Sequence, residues 1–280
     1  MVSLLKSTFS ACIADNVQRM SAALAYYTIF SLAPLLVIAI AIAGLVFGEK
    51  AAQGEIVGEI QELIGQDGAK AVQTMIQSAH RPAHSVIASA IGVVTLLFGA
   101  TGAFSEVYDA LNIIWSVDEK PSAAMGILKA RFLSFGMILI IGFLLMVSLV
   151  VSAILAGIAK YAASGLVVPA PVLHSIDFVF SFVVITVLFG MIFKTLPEAK
   201  IAWGDVWMGA ALTALLFTIG KFVIGFYIGK SVPESSYGAA GSLVVVVAWI
   251  YYSALILYFG AEFTHVYAHE FGSRLSESKS

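Results

Sequence analysis

The chain has 280 residues, of which 60% are hydrophobic and only 11% charged, and its formal net charge is −2. Soluble domains carry about 25% charged residues, so this composition points to a membrane protein. Near-neutrality leaves no broad basic field for nucleic acid, and a single cysteine, Cys12, excludes an intrachain disulfide or a cysteine-rich metal site.

Met1 to Met20 has neither the continuous apolar core nor the small-residue cleavage site of a signal peptide. Leu5, Phe9, Ile13 and Val17 recur every four residues, while Lys6, Asp15 and Arg19 fall elsewhere. That pattern predicts an amphipathic helix able to lie along the membrane surface. The first apolar span is expected over residues 25–47, with Tyr26 and Tyr27 near its start. Pro34 within it would kink the helix and free a carbonyl.

Residues 49–81 form the longest polar stretch. Ile56, Ile60, Leu63 and Ile64 share one face against Glu55, Glu59 and Glu62; Gly65 and Gly68 interrupt, and Val72, Met75 and Ile76 begin a second stripe. Two short amphipathic helices capping the bundle are expected there. The second span, 85–104, runs on into SEVYDALNIIW, where Glu106, Asp109 and Asn112 sit three apart on one helical side. Trp115 suits the interfacial aromatic belt.

Further spans are expected over 132–159, over 176–193 with Asp177 at its start, over 206–229 and over 239–261. The last two form a hairpin around SVPESSYGAAG, Ser231 to Gly241. The predicted fold is an all-α polytopic membrane protein. It has six transmembrane helices, an amphipathic N-terminal helix and a short helical outer loop, with residues 1–280 as a single membrane domain. With the N-terminus inside, the inner segments hold nine lysines and arginines against five outside. Both termini are therefore expected in the cytoplasm.

Ionisable residues collect at two depths. Toward the inner face stand Glu106, Asp109 and Asn112, together with Glu262, His265 and His269. At 3.6 residues per turn those last three lie within about 60° on one face, which suits proton binding and, more weakly, a metal ion. Lys221 lies roughly 12 Å inside the predicted end of its helix, too deep for easy snorkelling. It would pair with Asp177 or be capped by carbonyls, or else anchor an anionic head group or coupling ion.

Gly225-x-x-x-Gly229 and Ala153-x-x-x-Gly157 are small-residue pairs for helix packing, and Gly260 lightens a helix face. FGATGAFSEVY (Phe98 to Tyr108) faintly echoes FGAEFTHVY (Phe259 to Tyr267). GFYIGKS falls one residue short of a P-loop, and neither His-Glu-x-x-His nor Gly-x-Ser-x-Gly occurs. No cofactor is expected.

Three blocks carry a family resemblance: SAALAYYTIFSLAPLL, GATGAFSEVYDALNIIW, and WGDVWMGAALTALLFTIGKFVIGFYIG followed by SYGAAGSLVVVVAWIYYSALILYFGAEF. In this order, across nearly the whole chain, they resemble the YihY/BrkB family of bacterial inner-membrane proteins, once labelled ribonuclease BN. The resemblance implies six helices and marks Tyr26, Pro34, Asp109, Asn112, Lys221, Tyr237, Gly238, Trp249, Gly260 and Glu262. It also implies lipid or lipopolysaccharide transport, or cation/proton exchange, as candidate functions. The residues give a ribonuclease neither a basic RNA surface nor an acid–base centre.

The expected function is movement of a lipid or small anionic solute, with or without ion or proton coupling. Lys221 would be the charge anchor and Glu106, Asp109 and Glu262 a polar mouth. The alternative is a non-transporting scaffold or regulator that binds lipids or partner helices. Expected partners are membrane lipids and an anionic lipid or small solute as substrate, with a homo-oligomer left open and nucleic acid not expected.

Overall fold

The structure is a computed structural model and describes residues 2–79, 102–117, 170–231 and 239–273. These form helices α1 (Val2–Ala14), α2 (Val17–Phe47), α3 (Glu49–Ala79), α4 (residues 102–114), α5 (Ala170–Thr195), α6 (Trp203–Ser231) and α7 (Ala239–Glu270). No strand occurs among the described residues, so the fold is all-α as expected. Among the described residues, three stretches are long and apolar enough to cross a membrane: Phe178–Thr195, Trp203–Val223 and Leu243–Glu270. They fall on the predicted fourth, fifth and sixth spans, and α2 runs through the first. The predicted third span lies outside the described residues, as does the second except for residues 102–104.

Local chemistry sets the helix ends. The expected N-terminal helix stops at Ala14, because Asn16 adopts the left-handed conformation at φ 55°, ψ 45°. Asparagine is among the few non-glycine residues that tolerate that region. Val17 therefore belongs to α2, where it is buried. α2 stays helical through Pro34. α7 passes its predicted end at 261 and stops at Glu270, where the amides of Phe271 and Gly272 both bond to the Tyr267 carbonyl.

The chain groups into two compact units, one of Met1–Ala11, Leu111–Leu216 and Phe259–Ser280, the other of Cys12–Ala110 and Phe217–Tyr258. The core of the second unit joins Leu36 and Ile40 of α2, Val72 and Ile76 of α3, and Val245, Val246 and Trp249 of α7. Phe217 of α6 meets Trp249 edge-on at 5.7 Å. Ile56, Val57 and Ile60 from the first half of α3 pack on the same core. In a straight helix Ile56 and Ile76 would stand about 30 Å apart. The break is at Gly65, whose φ 76°, ψ 176° is open only to glycine; Gly68 stays helical. The two expected amphipathic helices are present, and they reach further along the spans than a cap would, since Leu36 lies about 16 Å before the end of α2.

In the first unit, α6 and α7 approach through a reciprocal pair of Gly-x-x-x-Thr turns. A Cβ at Gly209 would collide with Oγ1 of Thr264 and stand 2.8 Å from its Cβ; one at Gly260 would collide with Oγ1 of Thr213 and stand 2.9 Å from its Cβ. Each threonine hydroxyl donates to the glycine four residues earlier on its own helix, Thr213 to Gly209 O and Thr264 to Gly260 O, both at 2.7 Å. The hydroxyls are thereby satisfied without water, as an apolar surrounding requires. Lipid gives helices no hydrophobic drive to associate, so this close backbone approach is what packing has to offer.

Gly209→Ala is expected to lower stability by about 1–3 kcal/mol through overpacking, with Thr264→Ala in the same chain restoring part of the loss. Thermal unfolding in detergent micelles measures both. Unchanged unfolding in Gly209→Ala would contradict the contact.

Candidate functional site

Around α7, at about 100° per residue, Gly260 and Thr264 lie on the side opposite Glu262, His265 and His269. One side is given to packing against α6, so the ionisable row is held on the other. Glu262 is fully buried. Its Oε2 lies 3.9 Å from Nδ1 of His265, whose side chain is 23% exposed. The His265 ring meets Trp115 edge-on at 5.1 Å and His269 edge-on at 4.5 Å. The expected common face is therefore real, but Glu262 is a core residue and does not open into an exposed mouth.

A carboxylate without water contact is costly to ionise, and a histidine at this distance supplies the compensating charge when protonated. Nδ1 of His269 lies 2.9 Å from the His265 carbonyl oxygen of its own helix. Among the described residues no group of three or more His, Cys, Asp or Glu is placed to hold a metal ion.

Trp115 is buried, not placed in an exposed belt. The reason is the end of α4: Ser116 is left-handed at φ 48°, and the amide of Val117 bonds to the Asn112 carbonyl at 3.0 Å, tucking the indole inward. Asn112 Oδ1 accepts the Glu198 amide at 2.9 Å, which ties α4 to the segment after α5. It is a positioning residue. Asp205, at the start of α6, is buried and accepts two bonds from Ser273, from the amide at 3.2 Å and the hydroxyl at 2.6 Å.

The second unit holds Glu106 and Asp109. Glu106 is half-buried on α4, and its pKa is raised by burial first and by Asp109 next, while Arg19 of α2 opposes both. Asp109 reaches the surface, yet burial of part of its side chain raises it too. Tyr258 of α7 is fully buried, lies within electrostatic reach of Glu106, and has no hydrogen-bond partner for its hydroxyl among the described residues. Sequence reasoning missed Tyr258, because a tyrosine in an aromatic-rich span carries no signal until its neighbour is known. Tyr26 is 59% exposed and meets Tyr27 and Phe30 edge-on; it is Tyr27 that seats against Gly102 of α4.

Lys221 is half-buried on α6 within the stretch Trp203–Val223. The side chain of Asp177 lies outside the described residues, as do Tyr237 and Gly238, so the expected Lys221–Asp177 pair does too. At the far end of α2 from Arg19, the halves of α3 enclose an open groove lined by Lys50, Gln53, Gly54, Val57, Gln73 and Gln77. Arg19 and Gly48 are about 43 Å apart along that helix.

A raised carboxylate favours its proton in the folded state, so its contribution to stability is present below the ordinary value of 4.5 and is lost as pH rises through the raised one. The melting temperature of the native protein should therefore fall as pH climbs from about 4.5 toward neutrality, and Glu106→Gln should flatten that part of the curve. Arg19→Gln should move the fall to higher pH. Parallel curves for the native protein and Glu106→Gln would contradict the assignment.

The comparisons with known proteins agree with this architecture. The chain is 26% identical over 252 residues to UPF0761 membrane protein RSc1559 of Ralstonia nicotianae, covering 88% of this chain and 54% of the relative. It is 26% identical to UPF0761 membrane protein NTHI0384 of Haemophilus influenzae, covering 89% and 88%. It is 23% identical to the putative ribonuclease-like protein YfkH of Bacillus subtilis, covering 93% and 94%. The chain thus spans about half the length of the Ralstonia relative and most of the other two. No solved structure matches it. The family described as Virulence factor BrkB matches residues 8–280, and the chain, an integral membrane protein, belongs to that family.

Proposed function

We propose that the protein moves a lipid or a small anionic solute across the bacterial cytoplasmic membrane, with proton binding at Glu262 and His265 coupled to the movement. In this proposal the chain crosses the membrane six times, with both termini in the cytoplasm. The observation that carries it is the carboxylate of Glu262, fully buried on a helix whose apolar stretch runs from Leu243 to Glu270. Ionisable groups within membrane helices are expensive, and they mark ion or substrate pathways.

Two further observations favour passage. Polar groups occur at both ends of α2, with Arg19, Glu106 and Asp109 at one and the lysine- and glutamine-lined groove of α3 at the other. Lys221 adds a cation within the α6 span, suited to a phosphate or carboxylate in transit. No catalytic step is proposed, and the ribonuclease-like wording belongs to the name of the Bacillus relative.

The test is reconstitution into liposomes with head-group-labelled phospholipids, labelled small anions and a lumenal pH dye. Glu262→Gln is expected to insert normally and to slow both substrate movement and the linked pH change at least about tenfold, a barrier increase of ~1.4 kcal/mol. Native protein that moves no lipid or anion faster than empty liposomes would overturn the proposal and favour a lipid-binding scaffold.

Lys221→Met is expected to insert and to lose transport. Full activity in that variant would remove the lysine from the pathway while leaving the Glu262 result to stand by itself.

A further inference from the structure

α1 is a short helix with three distinct sectors. Taking Leu5 as origin at about 100° per residue, Leu5, Phe9 and Ile13 span roughly 80° of arc. They are 37%, 59% and 77% exposed. Leu4 and Thr8, about 60–100° to one side, are buried. Ser3, Ser10 and Ala14 are exposed on the far side, and Lys6 is exposed at the edge of the apolar arc. One sector thus faces protein, one is polar or small, and the third leaves three large apolar side chains uncovered.

What covers the third sector follows from depth. The Phe9 ring lies 5.3 Å from that of Phe259 on α7. Phe259 lies inside the apolar stretch Leu243–Glu270, about 24 Å along the helix from Leu243. A hydrocarbon core about 30 Å thick measured from Leu243 still contains that level. α1 is therefore held near the boundary between acyl chains and head groups, where aqueous exposure of three apolar side chains is not the alternative on offer. Lys6 at the rim of the arc can extend to an anionic head group while its stem stays apolar.

We infer that α1 is an in-plane membrane helix, its Leu5–Phe9–Ile13 sector inserted among the acyl chains of the leaflet that surrounds the C-terminal half of α7, and Lys6 engaged with lipid phosphate. The occupant of this surface is lipid, not a second protein.

The experiment places a nitroxide at single cysteines in the full-length Cys12→Ser protein, reconstituted in phosphatidylethanolamine and phosphatidylglycerol liposomes. Leu5→Cys, Phe9→Cys and Ile13→Cys sample the apolar sector; Ser3→Cys, Ser10→Cys and Ala14→Cys sample the polar one. Collision with oxygen against a water-soluble nickel chelate is expected to place the first three labels about 5–10 Å below the phosphates and the second three at or above them. Chelate access at all six positions would overturn the inference. Exclusion of both reagents from the apolar sector would overturn it too, since it would mean a protein cover. A label on native Cys12, without any substitution, must report membrane depth on the same scale, or the inference fails independently of how the variants fold.

Discussion

The approach of α6 and α7 through Gly209, Thr213, Gly260 and Thr264 is the constraint from which the rest of the first unit follows. Each threonine fills the space that a side chain would take on the opposite glycine, and each satisfies its hydroxyl on its own helix. Because that contact consumes one side of α7, the rotational setting of the helix is fixed, and with it the direction of every other residue nearby. Glu262 lies about 160° around from both Gly260 and Thr264, so the direction it takes from α7 is a consequence of where the small residues sit. The packing motif and the ionisable row are two results of one helix orientation.

The acids divide by environment more than by position along the chain. Glu262 is in a protein core beside His265, whose ring in turn meets the Trp115 indole. Glu106 is half-buried with Asp109 pushing its pKa up and Arg19 pulling it down. Asp205 is buried as well, but its carboxylate is spent on Ser273. Asn112, set beside Glu106 and Asp109 by spacing alone, is engaged by the Glu198 amide. Similar side chains on neighbouring turns therefore sit in different surroundings, one enclosed beside a histidine and another spent on fastening the chain, and only contacts tell them apart.

Much of the fold was legible because lipid imposes a simple rule: spans must be apolar and about 20 residues long. The stretches around 178–195, 203–223 and 243–270 obey it. Gly65 was legible as a break because glycine tolerates a conformation that other residues do not. Asn16 was not, since the same residue is also at home in ordinary turns, and the four-residue periodicity runs straight over it into Val17. The Gly-x-x-x-Thr pair was missed because a threonine is read as small only once a glycine is known to face it. The shared face of Glu262, His265 and His269 followed from helical spacing, whereas the depth of Glu262 did not. An acid near the end of an apolar run reads as interfacial, and nothing in spacing reports that α7 continues to Glu270 with that carboxylate enclosed.

The bonds from Ser273 to Asp205 bear on how the protein can be handled. Membrane proteins are commonly fused at their tails to affinity handles or fluorescent reporters. Here the first residues after α7 double back as ligands for an enclosed acid, and Gly272 is so close to it that a side chain there would strike Asp205. A fusion joined directly after Glu270 would strip those donors and unseat the beginning of α6, whereas a junction placed downstream of Ser273 would spare them.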